Sequence, residues 1–130
     1  MATVTGLGGI FMRSTDRKSL MNWYRYQLGI EPAQDFAGAT FAWRDAVDPE
    51  KEGSTILGLF EQDTDYFGPE NPPFMVNFRV DNLDAMLETL RAKGQKVEDR
   101  TEDVEGIGRF GWVTDPEGRL IELWEPADGV

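Results

Sequence analysis

A single carboxylate, Glu122, stands in the middle of an apolar stretch. The residues around it are Leu120, Ile121, Leu123 and Trp124, a run typical of a strand buried on both faces. A charge in such a place needs a partner, a metal ion or an altered pKa. Glu122 is therefore the best candidate for a catalytic residue, as a general base, or for an anchor that holds a cationic or hydroxylated ligand.

Two arginines and one amide are further candidates in predicted strands. Period-two alternation places Arg13 on the same strand face as Phe11, and Asn77 on the same face as Arg79. A guanidinium suits bidentate binding of a carboxylate, and an amide in an apolar strand is costly unless it is hydrogen-bonded. The alternative is structural, because either arginine could form an ion pair with Glu122.

Aromatic side chains could line a pocket beside these polar groups. Trp43 shares a strand face with Phe41, and Phe110 and Trp112 lie in a later strand. Small-molecule sites are often aromatic, although ordinary core packing is an alternative for these residues. We select as candidate ligand-binding residues Arg13, Trp43, Asn77, Arg79 and Glu122.

Composition excludes several kinds of chemistry. The sequence has 130 residues with no cysteine and no histidine, which removes thiolate nucleophiles, zinc-thiolate sites and the usual general base near neutral pH. Any metal site would have oxygen ligands only. The formal net charge of −11 argues against nucleic acid or an anionic membrane as a partner.

No stretch predicts a membrane span or a targeting signal. Apolar runs stay well short of the roughly 20 residues that a spanning helix needs. The first residues lack the basic and then apolar pattern of a signal peptide. We therefore expect a cytoplasmic protein.

The chain contains an internal repeat. The intervals Asp16 to Gly29 and Asp81 to Gly94 are equal, and each reads as an acidic cap, an amphipathic helix and a terminating glycine, with Asn82 as the alternative cap in the second interval. The segment around Gly58 aligns with that around Glu122. Strand, helix and about three strands thus occur twice, which predicts an α+β fold of two tandem βαβββ modules. We expect one domain over 1–130, with a first module at about 5–62, a linker at about 63–73 and a second module at about 74–126.

Two motifs carry a resemblance to a known family. The first comprises Asp16, Tyr24, Leu28 and Gly29, and the second comprises Asp115, Pro116, Gly118, Glu122 and Leu123. With them the chain resembles the vicinal oxygen chelate superfamily, which includes glyoxalases, extradiol dioxygenases, methylmalonyl-CoA epimerase and the bleomycin and fosfomycin resistance proteins. The resemblance implies an open, barrel-like mixed sheet with a ligand site inside, and a homodimer.

Catalytic members of this superfamily usually bind one divalent metal through four strand positions. Carried over, these positions fall on Gly9, Gly58, Met75 and Glu122. Glycine has no side chain and a thioether is a poor ligand for a hard ion, so we expect no metal and no other cofactor. Asn77 lies close enough along the strand to take the place of Met75, but would bring the set to only two oxygen ligands.

Three functions follow from these residues and the resemblance. The favoured one is a glyoxalase-like protein that binds an unknown small organic molecule in its barrel without metal. The second is a lyase or isomerase in which Glu122 acts as base or as the one retained metal ligand, with Arg13 and Asn77 as oxyanion partners. The third is a vestigial interaction module whose cavity is filled by Phe60, Met75 and Trp124.

Overall fold

The computed structural model describes residues 2–130 and contains two helices and eight strands within them. In chain order the elements are β1 Val4–Ser14, α1 Arg17–Leu28, β2 Gly38–Arg44, β3 Glu52–Glu61, β4 Phe74–Val80, α2 Leu83–Ala92, β5 Lys96–Val97, β6 Glu102–Val104, β7 Gly108–Thr114 and β8 Leu120–Pro126. Neither helix is long and apolar enough to cross a membrane.

The strands form one mixed, open sheet in the order β2-β3-β1-β4-β8-β7-β5, with β6 paired to β7. β1 and β4 are antiparallel at the centre and join the two halves of the chain. Each of them also pairs in parallel with the last strand of its own half, β3 or β8. This arrangement confirms the predicted α+β class and the open mixed sheet.

The repeat is inexact in its third element. The second half has the short strand β5 directly after its helix, whereas residues 30–37 of the first half form no strand. Pro32 lies in this segment and has no N–H for a ladder hydrogen bond. Ile30 and Ala37 instead pack against the cluster under α1, which is built on Met21 and Leu59.

Both helices begin and end where their capping residues predict. The Asp16 carboxylate accepts a hydrogen bond from the Ser19 backbone N–H at 3.1 Å, and α1 stops at Gly29 with φ of 71°. In the second half the cap is Asn82, the second of the two predicted residues, and the Ala85 N–H donates to its side chain at 3.0 Å. These helices cover the outer face of the sheet and leave the inner face to the candidate site.

The inner face is covered by its own side chains and by the linker. A buried cluster there consists of Phe67, Met75, Trp112 and Leu120. Phe67 belongs to the linker predicted at 63–73, which therefore crosses the inner face instead of passing outside the sheet.

Candidate functional site

Glu122 lies at the centre of β8 with 1% of its surface exposed, and its carboxylate accepts three hydrogen bonds. Asn77 Nδ2 donates to Oε1 at 2.6 Å. Trp112 Nε1 donates to Oε2 at 3.0 Å, and the Tyr66 hydroxyl donates to the same oxygen. The expected partner of the buried charge is thus a set of neutral donors.

Strand register brings two of these donors to the carboxylate. Asn77 on β4 and Trp112 on β7 are the direct partners of Glu122 on either side of β8. Side chains of directly opposed residues point to the same face of a sheet. The third donor, Tyr66, comes from the linker and has no strand to position it.

The environment raises the pKa values of both acidic groups in this network, Glu122 and Tyr66. Burial raises the pKa of the Glu122 carboxyl, and the hydrogen bonds from Tyr66, Asn77 and Trp112 oppose that shift. Burial and the neighbouring Glu122 charge raise the pKa of the Tyr66 hydroxyl. Tyr66 therefore keeps its proton and acts as a donor.

Gly8 leaves the space that the Asn77 amide occupies. A Cβ atom at Gly8 would lie 1.9 Å from Asn77 Oδ1. That oxygen is buried and has no hydrogen-bond partner among the described residues. The close approach explains why a glycine stands at this point of β1, where the pairing with β4 is irregular.

Gly8→Ala is expected to lower the free energy of unfolding by about 1–3 kcal/mol, because the added methyl group must displace the amide or the strand. Urea unfolding measures the effect. Gly6→Ala is the matched control, since a Cβ there would meet nothing within 4 Å. We expect that variant to change stability by no more than about 1 kcal/mol. Equal losses in the two variants would contradict the packing explanation.

Arg13 does not pair with Glu122, contrary to the structural alternative drawn from the sequence. Its guanidinium donates to the carbonyl oxygens of Gln62 at 2.8 Å, Thr64 at 2.6 Å and Pro72 at 2.8 Å. It also lies over the Phe67 ring, 5.1 Å from the centroid. Arg13 therefore holds both ends of the linker, which replaces the predicted carboxylate partner with backbone carbonyls.

Arg79 also lies away from Glu122. Its guanidinium is stacked between two indole rings, 5.0 Å from the Trp43 centroid and 4.9 Å from that of Trp124. It donates to the carbonyl oxygens of Ser54 at 3.1 Å and Val130 at 2.7 Å. Burial lowers the pKa of this guanidinium. The five candidate residues thus divide into three places: Asn77 contacts Glu122, Arg79 contacts Trp43, and Arg13 lies apart with the linker.

An open cleft lies on the inner face of the first half. It has a volume of about 570 Å³, within the range of small-molecule sites. Its apolar wall consists of Phe11, Phe36, Ile56, Leu59 and Phe60. Its polar rim includes an ion pair at 2.6 Å between Arg17 and Glu61. None of the candidate residues selected from the sequence lines this cleft.

The strand register shows which residues lie directly opposite Glu122 and opposite Gly58, two of the positions carried over for a family metal. Asn77, and not Met75, is opposite Glu122, and the equivalent pair in the first half is Phe11 opposite Gly58. Two of these four positions have no ligating atom, and both Glu122 oxygens already accept hydrogen bonds. Within residues 2–130 no three acidic side chains come together as a metal-binding group. The residues present do not fit the four-ligand site.

Tyr66 and Phe67 are the residues that sequence reasoning missed. The composition of 62–73 is polar and proline-rich, which indicates a linker. Two adjacent aromatic residues in such a segment were the available signal, since large rings are usually packed against something. The sequence indicates Trp112 as a possible pocket residue but does not predict the hydrogen bond that its indole N–H donates to Glu122.

Comparison with known proteins gives the family. The sequence model of the Glyoxalase/Bleomycin resistance protein/Dioxygenase superfamily matches residues 6–123. No curated protein matches the chain. This match confirms the resemblance carried by the two motifs.

Several solved structures share the fold. Methylmalonyl-CoA epimerase from Mycobacterium tuberculosis is 24% identical with a TM-score of 0.58, over 95% of this chain and 89% of that one. A Streptomyces coelicolor methylmalonyl-CoA epimerase variant in complex with 2-nitronate-propionyl-CoA is 22% identical with a TM-score of 0.70, over 96% and 99%. The Mn(II)-bound glyoxalase from Novosphingobium aromaticivorans is 20% identical with a TM-score of 0.60, over 100% of this chain and 42% of that one. The chain belongs to the Glyoxalase/Bleomycin resistance protein/Dioxygenase superfamily.

Proposed function

We propose that this protein binds a small, largely apolar organic molecule on the inner face of its sheet, without a divalent metal. The observation that carries the proposal is the open cleft of about 570 Å³ with its aromatic and aliphatic wall. An exposed apolar concavity of this kind is a common small-molecule site. The homodimer expected by family analogy and the cytoplasmic location expected from the sequence are part of the same proposal.

The metal-free part of the proposal rests on the donor set. Phe11 and Gly58 offer no ligand atoms, and Asn77 has one free oxygen beside an already bonded Glu122. A structural neighbour in the same family does hold Mn(II), so the point needs a direct test.

One observation favours an enzyme as the second candidate. Burial raises the pKa of the Glu122 carboxyl, and raised carboxyl pKa values are characteristic of general bases and acids. However, the Tyr66 ring covers Glu122, and Arg13 is engaged with the linker and not free as an oxyanion partner. The cleft, by contrast, is open with both residues in place.

The vestigial-module alternative predicts a filled inner face. Phe67, Met75 and Trp112 do fill the second half of that face. The first half keeps its cleft, which favours ligand binding over a purely vestigial cavity. Trp124, also assigned to the filling from the sequence, is buried and stacks on Phe110 with centroids 5.9 Å apart.

Thermal-shift titration tests the proposal. The purified protein is titrated with Mn²⁺, Mg²⁺, Ni²⁺ and Zn²⁺ beside a chelator control, and with a panel of small apolar and aromatic compounds. Ligands that bind only the folded state raise the melting temperature by mass action. We expect shifts from organic compounds and none from metals.

Two exposed phenylalanines provide matched variants for this titration. Phe36 lines the cleft, whereas Phe41 does not. Phe36→Ala should weaken binding of an active compound about fivefold or more, and Phe41→Ala should leave it unchanged. A shift with metal that Glu122→Gln abolishes would overturn the metal-free proposal, and equal effects of the two phenylalanine variants would overturn the assignment of the cleft.

A further inference from the structure

The Tyr66 ring occupies a slot between the two halves of the inner face. It is stacked on Phe60 of β3, with centroids 5.5 Å apart and planes inclined by 15°. It meets Trp112 of β7 edge to face, at 6.2 Å and 88°. Its hydroxyl donates to Glu122 at the bottom of the slot. The slot therefore holds a planar ring with one hydrogen-bond donor.

The linker does not need Tyr66 to stay in place. Arg13 binds carbonyl oxygens at both ends of the segment, and the Phe67 side chain is fully buried. Tyr66 itself is only partly buried. Rotation of this one side chain toward solvent would empty the slot and leave the linker anchored.

The emptied slot would have definite chemical preferences. Glu122 would keep the hydrogen bonds from Asn77 and Trp112 and would offer one free acceptor position. A hydrocarbon ring would leave that acceptor unpaired in a buried site, which is unfavourable. A ring bearing a carboxylate would be repelled by Glu122.

The slot adjoins the open cleft. Phe60 stacks on Tyr66 and also lines the cleft, together with Thr64 of the linker. A ring in the slot could therefore extend a substituent into the cleft. This continuity connects the slot to the ligand site proposed above.

We propose that Tyr66 is a displaceable internal ligand and that the slot is a binding site for phenols. Glu122 would accept a hydrogen bond from the phenol hydroxyl group. The inference rests on the proposed function and names its ligand class. A phenol must compete with Tyr66 for Glu122, so apparent affinity falls with the fraction of molecules in which the slot is open.

The test uses 4-methylphenol as the probe, with toluene as the probe that lacks the hydroxyl. Tyr66→Ala empties the slot, and Tyr66→Phe keeps the ring but removes its hydrogen bond. Affinity for 4-methylphenol should rise from wild type to Tyr66→Phe to Tyr66→Ala, by about tenfold or more over the series. Toluene should bind Tyr66→Ala at least fivefold more weakly than 4-methylphenol.

Two control variants test whether the change in affinity for 4-methylphenol comes from the slot. Tyr26→Ala removes a tyrosine that is 75% exposed on α1, and it should bind like the wild type. Glu122→Ala added to Tyr66→Ala should abolish the preference for 4-methylphenol over toluene. Two-dimensional NMR should show the Trp112 indole N–H signal shift on binding, because that group shares Glu122 Oε2 with the ligand.

The outcomes separate this inference from the proposed function. Equal binding of the two probes to Tyr66→Ala, or no increase along the series, overturns the phenol site. If Tyr66→Ala does not fold, the affinities of wild type and Tyr66→Phe for 4-methylphenol are compared instead, and equal affinities overturn the phenol site. Compounds whose binding depends on Phe36 would still support the cleft when the phenol site fails. Conversely, the tyrosine series can succeed when no compound binds the cleft.

Discussion

Phe67→Ala is expected to lower the free energy of unfolding by about 3–5 kcal/mol, the usual cost of truncating a buried phenylalanine. Phe67 is 0% exposed and packs with Met75, Trp112 and Leu120. Its ring also meets Phe60 edge to face at 5.0 Å. A residue of the linker thus belongs to the core, and urea unfolding measures its contribution.

Phe74→Ala is the matched control for this experiment. Phe74 begins β4 just after the linker, and its surface is 55% exposed. Its truncation should cost no more than about 1 kcal/mol. Similar losses in the two variants would show that the linker does not stabilise the inner face.

Glu122→Ala is expected to be comparably destabilising, by about 3–5 kcal/mol, because it leaves three hydrogen-bond donors, two of them buried, without an acceptor. Glu122→Gln should cost about 1 kcal/mol, since its side-chain oxygen can still accept from Tyr66 and Trp112. Asn77 would have to turn its amide to meet the new NH₂ group. Equal stabilities of the two variants would refute the hydrogen-bond explanation.

The pH dependence of the free energy of unfolding tests the direction of the pKa shift of Glu122. Burial raises the pKa of its carboxyl above the ordinary value of 4.5, so the folded state holds the proton more tightly than the unfolded state does. Wild-type stability should therefore fall, relative to Glu122→Ala, as the pH rises from 4.5 through the raised pKa. Below pH 4.5 the difference between the two proteins should be at its largest and constant. A difference that widens with rising pH would show that the pKa is lowered instead.

Much of the fold could be predicted because its signals are local. Period-two alternation marks β4, and the caps Asp16 and Gly29 bound α1. That the Glu122 carboxylate needs a partner could also be predicted, because the residues around it in the strand are apolar. Register was harder to predict, because β1 carries an irregularity at Gly8 that changes which residues face each other.

The missed contacts depend on segments far apart in the chain. The hydrogen bond from Tyr66 to Glu122 spans 56 positions and starts in a segment without periodicity. The sequence predicts that Arg13 meets a carboxylate, of a ligand or of Glu122, because a guanidinium suits that partner. The linker carbonyls satisfy it instead, and nothing in the composition of 62–73 indicates that they turn inward.

The central position of β1 has a consequence for synthesis of the chain on the ribosome. β1 pairs with β3 on one side and with β4 on the other, so one of its edges stays open until residues 74–80 have emerged. An unpaired edge of a long strand is a template for association with other chains. The first half of this protein is therefore most exposed to aggregation as a nascent chain, and a fragment that ends at residue 62 would carry that edge permanently.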